Sequence, residues 1–210
     1  MKVSYVSAVL LLFSLLLLIF SQLTLQNALT SKAMVSRITH FSEHANLDIR
    51  QNDQHLGASE LATVVVTAHQ LNSASMFNQW LSYLGHDART NDYSSSLLLT
   101  SSYLRPTWAN TYVELAKLAE SPKDAEAFRS LASLFGPYSL SSRLMLVDSA
   151  FSNWESMQVE NRVYASQHLV SLASSWRHRN ALNTMITYSG GKQRICNLLA
   201  FNKVKVQACV

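Results

Sequence analysis

YLRPTWANTYVELAKLA, residues Tyr103 to Ala119, is the stretch whose reading decides the fold. Pro106 lacks a backbone N–H and pushes Arg105 out of helical geometry, so a helix arriving from upstream stops before it. Beyond the proline, Trp108, Tyr112, Leu115, Ala116 and Ala119 recur at i, i+4, i+7, i+8 and i+11. That spacing lays them along one face of an α-helix, the face that packs against a neighbour.

The same periodicity extends both ways. Tyr93, Leu97, Ser101 and Leu104 form a face that begins at Asn91-Asp92 and ends before Pro106. Further upstream, Leu61, Val64, Val65, Ala68 and Leu71 form one face, and Phe77, Trp80, Leu81 and Leu84 form another, closed by Gly85. Thr63 to Thr67 (TVVVT) has strand propensity, but the longer periodicity favours helix. Downstream, Ser121-Pro122-Lys123-Asp124 is a helix start: an N-cap serine, proline at the first helical position and an acid in the first turn. Its helix carries Ala125, Phe128, Leu131, Ala132 and Phe135 and stops at Gly136-Pro137. Leu140, Leu144, Val147, Phe151 and Trp154 make the next face, and Leu169, Leu172, Ala173 and Trp176 a last long helix. Ser189-Gly190-Gly191 reads as a turn, and Val204-Lys205-Val206 as a short strand or an extended end.

Short helices with brief connections predict an all-α chain of antiparallel hairpins, either a helical bundle or an α-solenoid. Five glycines and three prolines are too few for the turns of an all-β sandwich or barrel. A repeat test fits one tetratricopeptide-like unit: Pro106 closes one repeat, and Tyr112, Leu115, Ala116 and Ala119 follow at the pattern's offsets. The unit upstream (Leu81, Ser82, Gly85, Leu98) fits loosely, and the unit downstream is out of register.

The N-terminus carries a different signal. Val3 to Phe20, VSYVSAVLLLFSLLLLIF, contains no charge. Eighteen helical residues reach roughly 27 Å, close to the ~30 Å hydrocarbon core, and continuing to Leu25 gives enough length to span with tilt. The run is longer than a signal peptide's apolar core, and no clean small-x-small site lies just past it, Asn27-Ala28 and Lys32-Ala33 being weak candidates, which favours a retained single-pass anchor over a cleaved signal. Lys2 precedes the span while Lys32 and Arg37 follow it, so charge alone does not orient it. A short tail before a first hydrophobic segment usually stays inside, and the bulk of the chain is expected to be exported.

These signals divide the chain into an anchor (1–27), a polar helix or stalk and linker (28–57), a helical tetratricopeptide-like domain (58–188) and a basic C-terminal tail (189–210). Asn46 to Gly57 is the linker candidate within the second part. Residues 161–210 hold Arg162, Arg177, Arg179, Lys192, Arg194, Lys203 and Lys205 and no acid. Such one-sided charge attracts anionic lipid or an anionic polymer, or else is simply a solvated surface. Cys196 and Cys209, the two cysteines, bridge a short loop if the domain is exported and are free thiols if it is not.

No catalytic constellation stands out. Gly190-Gly191-Lys192 lacks the earlier glycine of a phosphate loop, whose place Ile186 takes, and follows no strand. His40 and His44 share a helical face without a third ligand, so neither metal nor cofactor is expected. Asp148, Glu155 and Glu160, spaced along one hairpin, are the only carboxylate set with the look of a glycan-cleaving pair. Aromatic faces beside arginine stack on sugar rings or hold a partner helix. On that ground Arg105, Trp108 and Tyr138 are binding candidates, as are Arg162, Arg177 and Arg179 from the basic segment. Tyr112 and Trp154 read as core.

Three runs carry a family resemblance: YLRPTWANTYVELAKL, LFGPYSLSSRLMLVDSAFSNWESM, and ENRVYAS followed by LVSLASSW. The shape is Leu104-Arg105-Pro106-Thr107-Trp108, a helix, Gly136-Pro137-Tyr138, a helix ending in Asn153-Trp154, and then Arg162. It resembles the VpsP family, small polysaccharide-biosynthesis proteins of Gram-negative bacteria. The resemblance implies an accessory role without known catalysis in exopolysaccharide or capsule production beside the membrane, and the anchor read above makes the chain a single-pass inner-membrane protein with a periplasmic domain. With the helices, the anchor and the basic segment read above, the expectation is a non-catalytic scaffold, with membrane lipid, other polysaccharide assembly and export proteins and acidic polysaccharide as partners, and no nucleic acid. A glycan-modifying enzyme and an adaptor of another cell-envelope machine are the competing expectations.

Overall fold

A computed structural model describes residues 5–43, 67–83 and 91–209. The linker candidate 46–57, the positions Leu61, Val64, Val65, Leu84 and Gly85, and the side chains of His40 and His44 lie outside the described residues. The described chain is all-α, without a strand, and divides into two compact units at Pro106 and Thr107. The division falls where Pro106 ends a helix, inside the stretch 58–188 that the sequence suggested was one domain.

The first unit holds α1 (Tyr5–Glu43), α2 (Ala68–Tyr83) and α3 (Asn91–Leu104). α1 runs on past residue 27 without a break, because nothing between Asn27 and Glu43 is a proline or glycine. Its 39 residues extend roughly 58 Å, about twice a hydrocarbon core. The two halves of α1 meet different surroundings. Every large apolar side chain from Val9 to Phe20 is at least 51% exposed. By contrast Met34 is buried with Leu71, Ala74 and Leu97, and Ile38 packs against Phe77 and Leu81.

Four hydroxyls of α1 bond back to its own carbonyls. Ser14 donates to the Leu11 carbonyl at 2.9 Å, Thr24 to Ser21 at 2.9 Å, Thr30 to Gln26 at 2.9 Å and Thr39 to Val35 at 2.9 Å. Such back-bonding removes the cost of an unpaired hydroxyl in an apolar medium. α1 is the one described helix long and apolar enough to cross a membrane.

α2 corrects the expectation of two separate faces around Leu71 and Phe77. The polar run Gln70-Leu71-Asn72-Ser73-Ala74-Ser75 is helical and buried. Its start is a reciprocal cap: the Thr67 N–H donates to Gln70 Oε1 at 2.9 Å, and the Gln70 N–H to Thr67 Oγ1 at 3.3 Å. Hydroxyls and amides then hold α3: Ser75 donates to the Ser94 carbonyl at 3.1 Å, Asn78 to Ser94 Oγ at 2.8 Å and Ser101 to the Ala68 carbonyl at 3.0 Å.

The second unit holds α4 (Ala109–Leu118), α5 (Pro122–Phe135), α6 (Leu140–Ser152), α7 (Val159–Ser174), α8 (Arg179–Tyr188) and α9 (Lys192–Phe201). Tyr112, Leu115 and Ala116 of α4 are buried, and Tyr112 stacks on Phe135 of α5 with ring centres 5.6 Å apart. Ser121 caps α5, accepting the Asp124 N–H at 3.0 Å, and the Gly136 N–H closes it on the Ala132 carbonyl at 3.0 Å. From α6 onward the packing is a closed bundle, since α6 touches α7, α8 and α9, and α9 touches α7 and α8. In an array each helix would meet only its neighbours.

The bundle core joins Val147, Phe151, Leu169, Leu172, Leu182, Ile186, Ile195, Leu199 and Val206. Residues 189–210 are therefore no free tail. Ile195 and Leu199 are wholly buried, and the segment closes with a Cys196–Cys209 disulfide whose Cα atoms are 5.4 Å apart. Val204-Lys205-Val206 is an extended end, not a strand. Trp176, read as part of the last core face, lies beyond the end of α7 in a 3-10 turn and is 76% exposed.

Candidate functional site

α7 has two apolar stripes. Leu169, Leu172 and Ala173 face the core. Val159, Val163 and Val170, at i, i+4 and i+11, point elsewhere, and with Trp154 and Leu198 they line an open groove of about 750 Å³. Its polar positions are Arg162, Ser166, Gln167, Ser171 and Asn202. Leu198 and Asn202 come from α9 and the residue after it, so the groove has one helix along each side.

One end of the groove is built around Trp154. Its ring packs on Phe151 at 4.9 Å between centres, and the Arg162 guanidinium lies 5.4 Å from the ring centre. Arg162 Nε donates to the Met157 carbonyl at 2.9 Å, and a terminal nitrogen donates to the Glu155 carbonyl at 3.3 Å. These bonds hold the 3-10 turn Trp154–Ser156 against the first turn of α7. Arg194 reaches the same turn, pairing with the Glu155 carboxylate at 3.0 Å.

The other side of that turn borders a polar cleft of about 330 Å³, lined by Glu126, Arg129, Ser149, Asn153, Ser156, Gln158 and Asn161, with Met157. Glu126 and Arg129 pair across one helical turn at 2.9 Å. Hydroxyl, amide and charged groups of this kind offer both donors and acceptors. A further polar cluster joins α6 to α7: Arg143 Nε donates to His168 Nδ1 at 2.9 Å, and Arg143 donates to Ser171 Oγ at 2.8 Å. Desolvation, and then the Arg143 charge, hold the His168 imidazole below its ordinary pKa.

Of the six binding candidates read from sequence, Arg162 alone lines the groove, and none lines the cleft. Trp108 is half-buried at the start of α4, while Arg105 is exposed at the end of the first unit. Tyr138 is 89% exposed in the turn before α6. Arg177 lies 5.5 Å from the Trp176 ring centre, and Arg179 is exposed at the first position of α8. Asp148 accepts from Ser152 at 3.4 Å, Glu155 is held by Arg194, and Glu160 is exposed in the first turn of α7. None of these three acids lines the groove or the cleft. Among the described residues no group of three His, Cys, Asp or Glu is placed to hold a metal ion.

Val159, Val163, Val170 and Leu198 were not among the sequence candidates. The α7 valines have a legible signal, a second apolar stripe beside the core stripe. The cleft has none, because its polar residues come from α5, α6, the turn and α7 with no shared spacing. No protein-family model matches this chain, and neither a curated protein nor a solved structure matches it.

Proposed function

We propose that the chain is a membrane-tethered, non-catalytic binding module of exopolysaccharide or capsule assembly. In this reading it is a single-pass protein of a bacterial inner membrane whose second unit works in the periplasm as a scaffold for assembly and export proteins. The observation that carries it is the contrast within α1. One half exposes a continuous run of large apolar side chains, with the Ser14 hydroxyl bonded to the Leu11 carbonyl, and the other half packs into a helical unit. Such a helix is suited to lipid at one end and to folded protein at the other.

The polar cleft supports the glycan part. Its amides, hydroxyls and ion pair suit saccharide hydroxyls, which need donors and acceptors together. The disulfide supports the compartment, since such bonds persist in oxidising surroundings. The VpsP resemblance of residues 93–176 supports the pathway. Deletion of the gene in its host is the test. Loss or shortening of the secreted polymer is expected, and normal amounts of normal polymer overturn the proposal. Retention of the full chain on immobilised polymer, and its reduction in Asn161→Ala, tests the cleft.

A further inference from the structure

The apolar groove between α7 and α9 has no part in that reading. Val159 and Val163 remain 65% and 51% exposed along it. Its volume of about 750 Å³ lies within the ~300–1,000 Å³ of small-molecule sites. Its lining holds one charged side chain, Arg162, and no carboxylate, while Glu155 and Glu160 stand beside the Trp154 end outside the lining. Arg162, at the Trp154 end, is bonded to two carbonyls and a ring face, none of which neutralises its charge. Arg194 at the same end spends its charge on Glu155. What is left is an apolar trough with one uncompensated guanidinium at its end. That is complementary to a molecule with a hydrocarbon body and an anionic head. The apolar half of α1 supplies the source: a chain anchored in a bilayer is surrounded by such molecules, and anionic headgroups draw cationic surfaces toward the lipid.

We infer that the groove takes an acyl chain of an anionic phospholipid, with the headgroup phosphate against Arg162. Val159, Val163, Val170 and Leu198 bury the chain. Ser166, Gln167 and Ser171 bond the glycerol and ester oxygens along the rim. The proposal rests on the membrane-anchored reading, and the test separates the two.

Full-length protein carrying p-benzoylphenylalanine in place of Val163 is reconstituted into vesicles of equal parts phosphatidylcholine and phosphatidylglycerol. It is irradiated and analysed by intact mass and peptide mapping. The expected product is a phosphatidylglycerol adduct on the peptide containing position 163, several-fold more abundant than the phosphatidylcholine adduct. Absence of lipid adducts, equal use of the two lipids, or a cross-link to a second chain overturns it. In native membranes, capture of another protein at position 163 overturns it as well. The same probe in place of Leu16 reports the anchor. Reaction with lipid at 16 and none at 163 removes the groove proposal alone, whereas no lipid at 16 removes the anchored reading. Because Arg162 also holds the 154–157 turn, two variants separate charge from structure. Arg162→Gln is expected to abolish the preference for phosphatidylglycerol and Arg162→Lys to retain it. Loss in both assigns Arg162 to the turn and overturns the headgroup contact.

Discussion

Gly191 is a glycine because of what stands against it. A Cβ there would meet the Phe151 carbonyl carbon at 2.5 Å, its Cβ at 2.6 Å and its carbonyl oxygen at 2.7 Å. Its φ of −90° is open to any residue, so the requirement is space. Two of the three clashes are with backbone, which does not swing aside. Gly191→Ala is expected to cost about 1–3 kcal/mol as an overpacked site. Gly190→Ala, which would meet Ser152 Oγ at an ordinary 3.4 Å, is expected to be near neutral. Paired thermal melts of the full chain decide it. Gly191, in the tripeptide that superficially suggested phosphate binding, thus serves packing, and only the three-dimensional approach of Phe151 reveals it. His168 gives a second expectation at this scale. Its pKa is lowered by desolvation and by Arg143, so the unfolded chain takes up the proton first. The stability it confers is complete above the usual imidazole value of about 6.5. It is lost as pH falls from there through the lowered folded value. Melting temperature should therefore fall across that window, and His168→Gln, which keeps an acceptor for Arg143, should flatten the slope.

At the scale of elements, the helices that announced themselves are those with punctuation in the chain. Ser121-Pro122-Lys123-Asp124 begins α5 where the residue types place it, and Ser121 Oγ both accepts from the Asp124 N–H and donates to its carboxylate at 2.7 Å. Ser121→Ala is expected to cost about 1 kcal/mol, read as a lower melting temperature with unchanged helicity below the transition. Asn91-Asp92 and Pro106 bound α3 in the same legible way. α2 was legible only in part. Its cap, Thr67 with Gln70, has the residue types of a capping box, yet Asn72, Ser73 and Ser75 resemble a loop because sequence does not show that they are buried. Ser75 and Asn78 bond to Ser94 and Ser101 bonds back to the Ala68 carbonyl, which makes the polar run part of a helix interface, and such pairing across elements is invisible to periodicity. α8 and α9 hid for the opposite reason. Each shows the core only two wholly buried residues, Leu182 with Ile186 and Ile195 with Leu199, too short a pattern to stand out from a polar background. The groove follows the same logic. One apolar stripe on α7 was enough to predict a helix, so the second went unexplained until α9 was seen to leave it open.

At the scale of the whole molecule, the disulfide and the proposed anchor constrain each other. Cys196 and Cys209 are 13 residues apart, and the bond fastens α9 to the extended end that carries the buried Val206. A loop of that size is worth about 3 kcal/mol in the chain-entropy model. Cys209→Ser is expected to lower the melting temperature of the second unit, and reductant should bring the unaltered chain to the same level. A chain that melts identically with and without reductant would show that the bond contributes nothing. The bond also bears on topology. With Lys2 on one side of the span and Lys32 and Arg37 on the other, the positive-inside rule does not orient it. A disulfide that persists needs an oxidising compartment. The proposed orientation therefore predicts that a reporter active only in the periplasm, fused after Val210, gives signal in living cells. It also predicts that Cys196 and Cys209 resist alkylation until the protein is reduced. The two readouts must agree: a cytoplasmic reporter with both thiols freely alkylated would reverse the orientation and take the glycan-facing role of the second unit with it.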